Sequence, residues 1–144
     1  MPNSKPTILK TYIMTTPNKP QKSASAHKPT PAEMTAQLVS LLDVETLENN
    51  RYLGSRAEGA TGRVFGGQVV GQALMAATKA VEADKTLHSL HAYFMRPGDN
   101  DLPITYQVER DYDGRSFGTR RVIAWQKDEP ILNLAASFQR PKKV

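Results

Sequence analysis

Phe65-Gly66-Gly67-Gln68-Val69-Val70-Gly71-Gln72-Ala73-Leu74-Met75-Ala76-Ala77 is the stretch on which the fold turns. Val70, Leu74, Ala77 and Val81 recur at helical spacing, and Ala73 and Ala80 flank that stripe. The spacing predicts one helix over 66–83. At about 1.5 Å per residue such a helix spans roughly 27 Å. Gly71 inside a helix costs about 1 kcal/mol relative to alanine. Together with Gly67 and the alanines it leaves a face of small residues, which lets a helix lie close against a sheet.

Downstream the period changes from helical to two. Leu87 to Arg96 is strand-like and ends at the turn Pro97-Gly98-Asp99. Ile104, Tyr106 and Val108 alternate with polar residues, and Asp111-Tyr112-Asp113-Gly114 reads as a hairpin turn. Two further alternating runs, Phe117 to Gln126 and Leu132 to Gln139, are separated by a turn at Lys127 to Pro130. Upstream, Thr30 and Glu33 have capping-box spacing with Pro31 at the first helical position. Met34, Leu38, Leu41 and Leu42 follow at helical spacing, predicting a short amphipathic helix over 31–43; Arg51 to Ala57 reads as a short strand. Hairpin connections demand an antiparallel sheet. One long apolar helix beside one such sheet buries itself by lying across the sheet's face. The expected class is therefore α+β, an antiparallel sheet wrapped around a long central helix with a short N-terminal helix.

The 144 residues suffice for one domain. Residues 1–29 are rich in Lys, Pro and Ser and poor in large apolar side chains, so a disordered extension is expected there and a single domain over 30–144. The extension is acid-poor and hydroxyl-rich, as transit peptides are, but lacks arginine. The net charge of +5 also sits in that end: residues 1–32 hold five lysines and no acid, leaving 19 − 5 = 14 basic against 14 acidic residues in the remainder. A basic groove for nucleic acid is thus not expected. There is no cysteine, which excludes a disulfide scaffold, a thiol nucleophile and a cysteine zinc site. No apolar run approaches the roughly 18 residues of a membrane span.

Arg63-Val64-Phe65-Gly66-Gly67-Gln68-Val69-Val70-Gly71-Gln72-Ala73-Leu74 resembles the central-helix motif of the type II acyl-CoA thioesterases. Leu87-His88-Ser89-Leu90-His91-Ala92-Tyr93-Phe94-Met95-Arg96-Pro97-Gly98-Asp99 resembles their next strand. Asp113-Gly114-Arg115-Ser116-Phe117, Arg120-Arg121-Val122 and Ala136-Ser137-Phe138-Gln139 resemble the later ones, in order. The resemblance covers about residues 36–140 and implies a hotdog fold. Members of the family resemble two hotdogs fused in one chain. They hydrolyse fatty acyl-CoA to free fatty acid and CoA, with an Asp, a Thr or Ser and a Gln activating water, and need no cofactor. In that pattern the catalytic trio belongs to the second hotdog, whereas this sequence stops at Val144, where the first one ends. The trio carries over onto no position here, and the chain reads as the N-terminal hotdog half only. The resemblance further implies acyl-CoA as substrate, and a partner: a second copy or another hotdog joined edge to edge. An intracellular protein is expected, without resolution between peroxisome, mitochondrion and cytoplasm.

The candidate site residues follow. Gly66 and Gly67 open the long helix, whose first N–H groups lack intrahelical partners and could stabilise a thioester oxyanion; Gln68 shares that position. The bland alternative is that the glycines only permit a tight entry. His88 could act as a general base because histidine titrates near neutrality. By alternation it would share a face with Leu90, Ala92 and Phe94, opposite His91, so that the pair would not chelate one metal. By the resemblance, Gln139 ends the last strand at a place similar to the one the family's catalytic Gln holds in the other half, which makes it a relic or, if two chains pair, a working residue. Arg96, Arg120 and Arg121 are candidates for CoA phosphates. Gly114-Arg115-Ser116-Phe117-Gly118 has the spacing of a nucleophile elbow but sits between a turn and a strand, which excludes a serine hydrolase. The alternative to a thioesterase half is a non-catalytic acyl-CoA-binding or dimerisation module on the same fold.

Overall fold

The computed structural model describes residues 27–143. The extension expected over 1–29 therefore lies, up to residue 26, outside the described residues. Helix α1 spans Pro31–Leu42 and strand β1 Val44–Thr46; strand β2 covers Arg51–Gly54 and helix α2 Gly66–Lys79. Strands β3 Thr86–Phe94, β4 Thr105–Asp113, β5 Phe117–Gln126 and β6 Glu129–Gln139 follow. All six strands form one antiparallel sheet in the order β1-β2-β4-β5-β6-β3. Helix α2 lies across one face and touches every strand.

The start of α1 matches its sequence signals. Thr30 Oγ1 accepts from the Glu33 N–H at 3.2 Å, and the Glu33 carboxylate accepts from the Thr30 N–H at 2.7 Å. That backbone bond holds the exposed Glu33 carboxyl below the ordinary range. The expected apolar face of α1 is not a buried one: none of its residues is buried, and Met34 and Leu38 are half-exposed. The helix is fastened mainly at its C-terminal end. Leu42 sits where a side chain at Gly71 would have to go, 2.6 Å from a Cβ there. Lys79 ties the same end down by donating to the Val44 carbonyl and pairing with Asp43 at 2.8 Å.

Strand β1 is absent from the sequence reading. Leu47 to Asn50 turn the chain back onto β2, and Asn49 and Asn50 have φ of 55° and 58°, the left-handed pair of a tight hairpin turn. The Asn-Asn dipeptide was the signal for it. Strand β2 stops at Gly54 rather than Ala57, and residues 55–65 run as a loop to the helix.

Helix α2 ends at Lys79, four residues before the expected limit. Arg120, buried on β5, donates to the Ala80 carbonyl and takes over the helix's C-terminal acceptor. The buried arc of α2 also differs from the expected stripe: Val69, Ala73, Ala76 and Ala77 are fully buried, with Gln68 and Gln72 beside them. Val70 and Leu74 are half-buried on the flank. Opposite the helix stand Tyr106, Val108, Val122, Ala124, Leu132, Leu134, Ala136 and Phe138. Each large apolar side chain there contributes about 1.5–3 kcal/mol by burial. Their alternation with outward residues is the period of two read in the sequence.

Candidate active site

The first turn of α2 is built from glycine for want of space. A Cβ on Gly66 would stand 3.1 Å from the Phe94 ring, and one on Gly67 would stand 2.5 Å from the Phe65 ring. Phe65 precedes the helix, offers no side-chain cap, and no acidic residue occupies the first turn. Among the described residues, the positive end of the helix therefore has no capping side chain and no acid in its first turn. Gln68 is the third residue of that turn. Its N–H donates to the Phe65 carbonyl at 3.0 Å, and the residue is 7% exposed.

Behind Gln68 stands a polar knot inside the core. Gln72 is fully buried; its Nε2 donates to the Leu41 carbonyl at 2.6 Å and the Ser55 carbonyl at 2.8 Å. Its Oε1 accepts from the Tyr106 hydroxyl at 2.7 Å. One side chain thus joins α1, the 55–65 loop and β4 to α2. Burial pushes the Tyr106 phenol far above its ordinary pKa, so it remains a donor. Gly54 lies against this knot, and a Cβ there would collide with Gln72 Oε1 and the Tyr106 ring. The sequence reading placed Gln72 in the helix but gave it no part. A buried glutamine among alanines was the available signal.

The structure separates the remaining candidates from the helix start. Gly66 meets Phe94, at the far end of β3, whereas Gln139 pairs with Thr86 and Phe117 at its near end. From Leu87 to Phe94 is about 23 Å at roughly 3.3 Å per residue. Gln139 and its neighbours Asn133, Ala135 and Ser137 occupy the face away from α2. The expected placement of His88 is overturned. A β-bulge between Leu87 and Ser89 breaks the alternation, and Leu87 takes the inward place opposite Phe138. His88 reaches edge-on to Phe117, with ring centroids 5.8 Å apart, on the outer face. His91 lies on that face too, edge-on to Tyr93 at 4.6 Å, so the expected opposition of the two histidines fails. His88 and Gln139 therefore stand near each other but away from Gly66, Gly67 and Gln68.

Of the three arginines, only Arg120 is closed to phosphates. Arg120 is buried and saturated by the carbonyls of Ala80, Tyr112 and Thr119 and by Asp113 at 2.6 Å. Arg121 faces Asp111 at 3.2 Å, and Arg96 donates to the Pro130 carbonyl at 2.8 Å beside Glu129, but their side chains remain 53% and 47% exposed.

The β3 strand is one edge of the sheet and is exposed along nearly its whole length. Leu87, Leu90 and Phe94 lie on its inner side yet remain 42%, 40% and 59% exposed. Val70 and Leu74 follow Gly66 by one and two turns on the flank nearest Phe94. An apolar strip of strand and helix is thus left uncovered along this edge.

A helix cradled by one antiparallel sheet, with its glycine-lined start beside an open edge strand, is the hotdog arrangement. The crystal structure of the acyl-CoA thioesterase II TesB2 from Mycobacterium marinum superposes with a TM-score of 0.67 at 44% identity, covering 74% of this chain and 39% of that one. Residues 56–139, more than half of the chain, match the model of the acyl-CoA thioesterase N-terminal domain, and the chain belongs to that family. It is 46% identical over 111 residues to human acyl-coenzyme A thioesterase 8, covering 76% of this chain and 35% of the relative. It is 43% identical over 106 residues to acyl-CoA thioesterase 2 of Haemophilus influenzae, covering 74% and 37%. The chain spans little more than a third of the length of these curated relatives. Among the described residues no helix is long and apolar enough to cross a membrane.

Proposed function

We propose that this chain is the first-hotdog half of an acyl-CoA thioesterase, which cleaves fatty acyl-CoA to fatty acid and coenzyme A once a second hotdog joins its β3 edge. Residues 30–144 form that one domain, behind the Lys/Pro/Ser-rich extension. The observation that carries the reading is the uncovered strip of Leu87, Leu90 and Phe94 beside the uncapped start of α2. Open edges of this kind invite pairing. A two-fold pair centred near Leu90 would run two β3 strands antiparallel, so the Thr86 end of one comes alongside the Phe94 end and helix start of the other. The site would then be assembled across the pair.

In that site the Gly66 and Gly67 N–H groups receive the thioester carbonyl and stabilise the charge that grows on its oxygen. Water adds to the carbonyl carbon, giving up a proton to a base on the second hotdog. The carbon–sulfur bond then breaks and the thiolate of CoA leaves. Coenzyme A esters are metabolites of the cell interior, so this activity implies an intracellular protein. The second reading, an acyl-CoA-binding or dimerisation module without hydrolysis, draws on the distance of His88 and Gln139 from the helix start.

Thiol release from decanoyl-CoA decides between them. The purified chain is assayed across a range of concentrations, alone and after co-expression with the C-terminal hotdog of the Haemophilus relative. Turnover that appears with pairing supports the thioesterase half. Saturable binding of decanoyl-CoA with no thiol release in any paired state supports the module and rejects hydrolysis.

A further inference from the structure

Between α1, the 55–65 loop and the start of α2 lies a cavity of about 400 Å³. Its walls are apolar: Leu38, Leu41, Leu42, Ala57, Ala60 and Phe65. Small-molecule pockets run from about 300 to 1,000 Å³, so the space has the size of a ligand site. Besides Asn100, whose Nδ2 is held by the Thr61 and Arg63 carbonyls, two polar features break the apolar wall. The first is Gln68, more than nine-tenths buried and lining the cavity. Its amide has two N–H donors and two acceptor lone pairs. Among the described residues only one of these is engaged, by a long 3.4 Å bond to the Ser55 carbonyl. The second is Arg63, at the rim. Among the described residues no carboxylate comes within ion-pairing distance of its guanidinium, whereas the neighbouring Arg56 is held by Asp101 and the Asn100 carbonyl.

We infer that this cavity takes the fatty tail of an acyl thioester or of its carboxylate product, with Gln68 at the polar end of the tail and Arg63 facing the anionic head. This rests on the thioesterase reading and deepens it. The cavity shares Gly67 and Gln68 with the first turn of α2, where the thioester carbonyl is expected. A tail entering from that turn passes directly among the leucines of α1. The exposed apolar face of α1 then has a purpose: Leu38 and Leu41 form a wall whose other side is completed by ligand. A tail needs volume, apolar walls and one polar end, and the cavity offers these. A carbonyl or carboxylate at that end takes the unused N–H of Gln68.

The test is calorimetric titration of the full chain with the saturated carboxylates from hexanoate to tetradecanoate and with dodecanoyl-CoA. Affinity is expected to rise about fourfold per methylene, the factor that corresponds to about 0.8 kcal/mol for each buried CH₂, and then to level off where the cavity is filled. Ala60→Trp and, independently, Ala57→Trp fill the cavity from the surface loop and should weaken dodecanoate by at least about tenfold. Two sites serve in case one variant does not fold, as judged by thermal unfolding. Arg63→Gln should weaken dodecanoate about threefold or more and flatten its salt dependence. Binding unchanged in both tryptophan variants overturns the pocket, because the tail then binds elsewhere, and it leaves the thioesterase reading untouched. Tryptophan variants that lose self-association instead of ligand affinity overturn it in favour of a second copy as occupant. Absence of saturable binding by every probe also overturns it, whereas thiol release on pairing with a second hotdog would still uphold the enzyme.

Discussion

Replacing Gln72 with leucine removes three hydrogen bonds from the core while keeping a side chain of similar length. Gln72 donates to the Leu41 and Ser55 carbonyls at 2.6 and 2.8 Å and accepts from Tyr106 at 2.7 Å. A buried polar group left without a partner costs about 1–3 kcal/mol. The Tyr106 hydroxyl bears this in full, because the residue is 0% exposed and burial raises its pKa rather than letting it ionise. Leu41 and Ser55 both line a surface hollow between α1 and residues 55–58, where water recovers part of the loss at their carbonyls. The expected total for Gln72→Leu is about 3–4 kcal/mol, a large share of the roughly 5–15 kcal/mol that holds a domain folded. Tyr106→Phe alone should cost about 1–2 kcal/mol, since Gln72 Oε1 then lacks its donor. The decisive measurement is the double variant. Gln72→Leu with Tyr106→Phe places two apolar groups face to face, and removing both partners avoids the unpaired group. Its cost should fall short of the sum of the singles by at least about 1 kcal/mol. Urea unfolding at one fixed protein concentration, followed by circular dichroism with unchanged slopes, supplies all four stabilities. Additivity within about 0.5 kcal/mol would show that the two side chains do not depend on each other, and the reasoning would be refuted.

Three further outcomes are expected. Arg120→Met strips donors from the Ala80, Tyr112 and Thr119 carbonyls. With Asp113 partly exposed and able to rehydrate, the cost should sit near the lower end of the range for a broken buried pair, about 3 kcal/mol, seen as a fall in melting temperature on the order of 10 °C; a fall under about 3 °C contradicts the helix-capping part given to it. The hydrogen bond from Arg120 holds the Asp113 carboxyl below its ordinary value. Its stabilisation is therefore complete above about pH 4 and disappears as pH drops through the depressed folded value. Asp113→Asn should consequently show a flatter melting temperature than the parent between about pH 2.5 and 5, and parallel profiles would remove the pair from the account. Leu90→Lys puts a charge on the uncovered inner side of β3 and should leave monomers where the parent associates; light scattering that finds the same mass for both, whether monomer or dimer, denies that this edge is the pairing surface.

Periodicity carried most of the architecture. The helical stripe from Gly66, the three alternating runs from Tyr106 to Gln139 and the capping box at Thr30 each depend on neighbours in the chain, and each appears near its expected place. The motifs quoted for the thioesterase resemblance agree with the family to which residues 56–139 belong. What the sequence could not carry were features set by residues distant in the chain. Just past the helix end at Lys79, the Ala80 carbonyl is satisfied by Arg120, forty residues on. His88 turns outward because an extra residue is accommodated against β6, a property of the pairing and not of the strand. Arg120, which looked available to phosphate, is buried against three carbonyls and Asp113.

The order of residues by itself determined a long helix with a glycine-lined start, the strands beyond it and the family they belong to, since local spacing and motif are properties of the linear chain. Tertiary structure alone decided which ends of those elements meet. It brought Gly66 to Phe94 and away from Gln139, closed the polar knot of Gln72 with Tyr106, and opened the cavity beside Gln68. Each of these depends on side chains far apart in sequence sharing one small volume, and no local period encodes that.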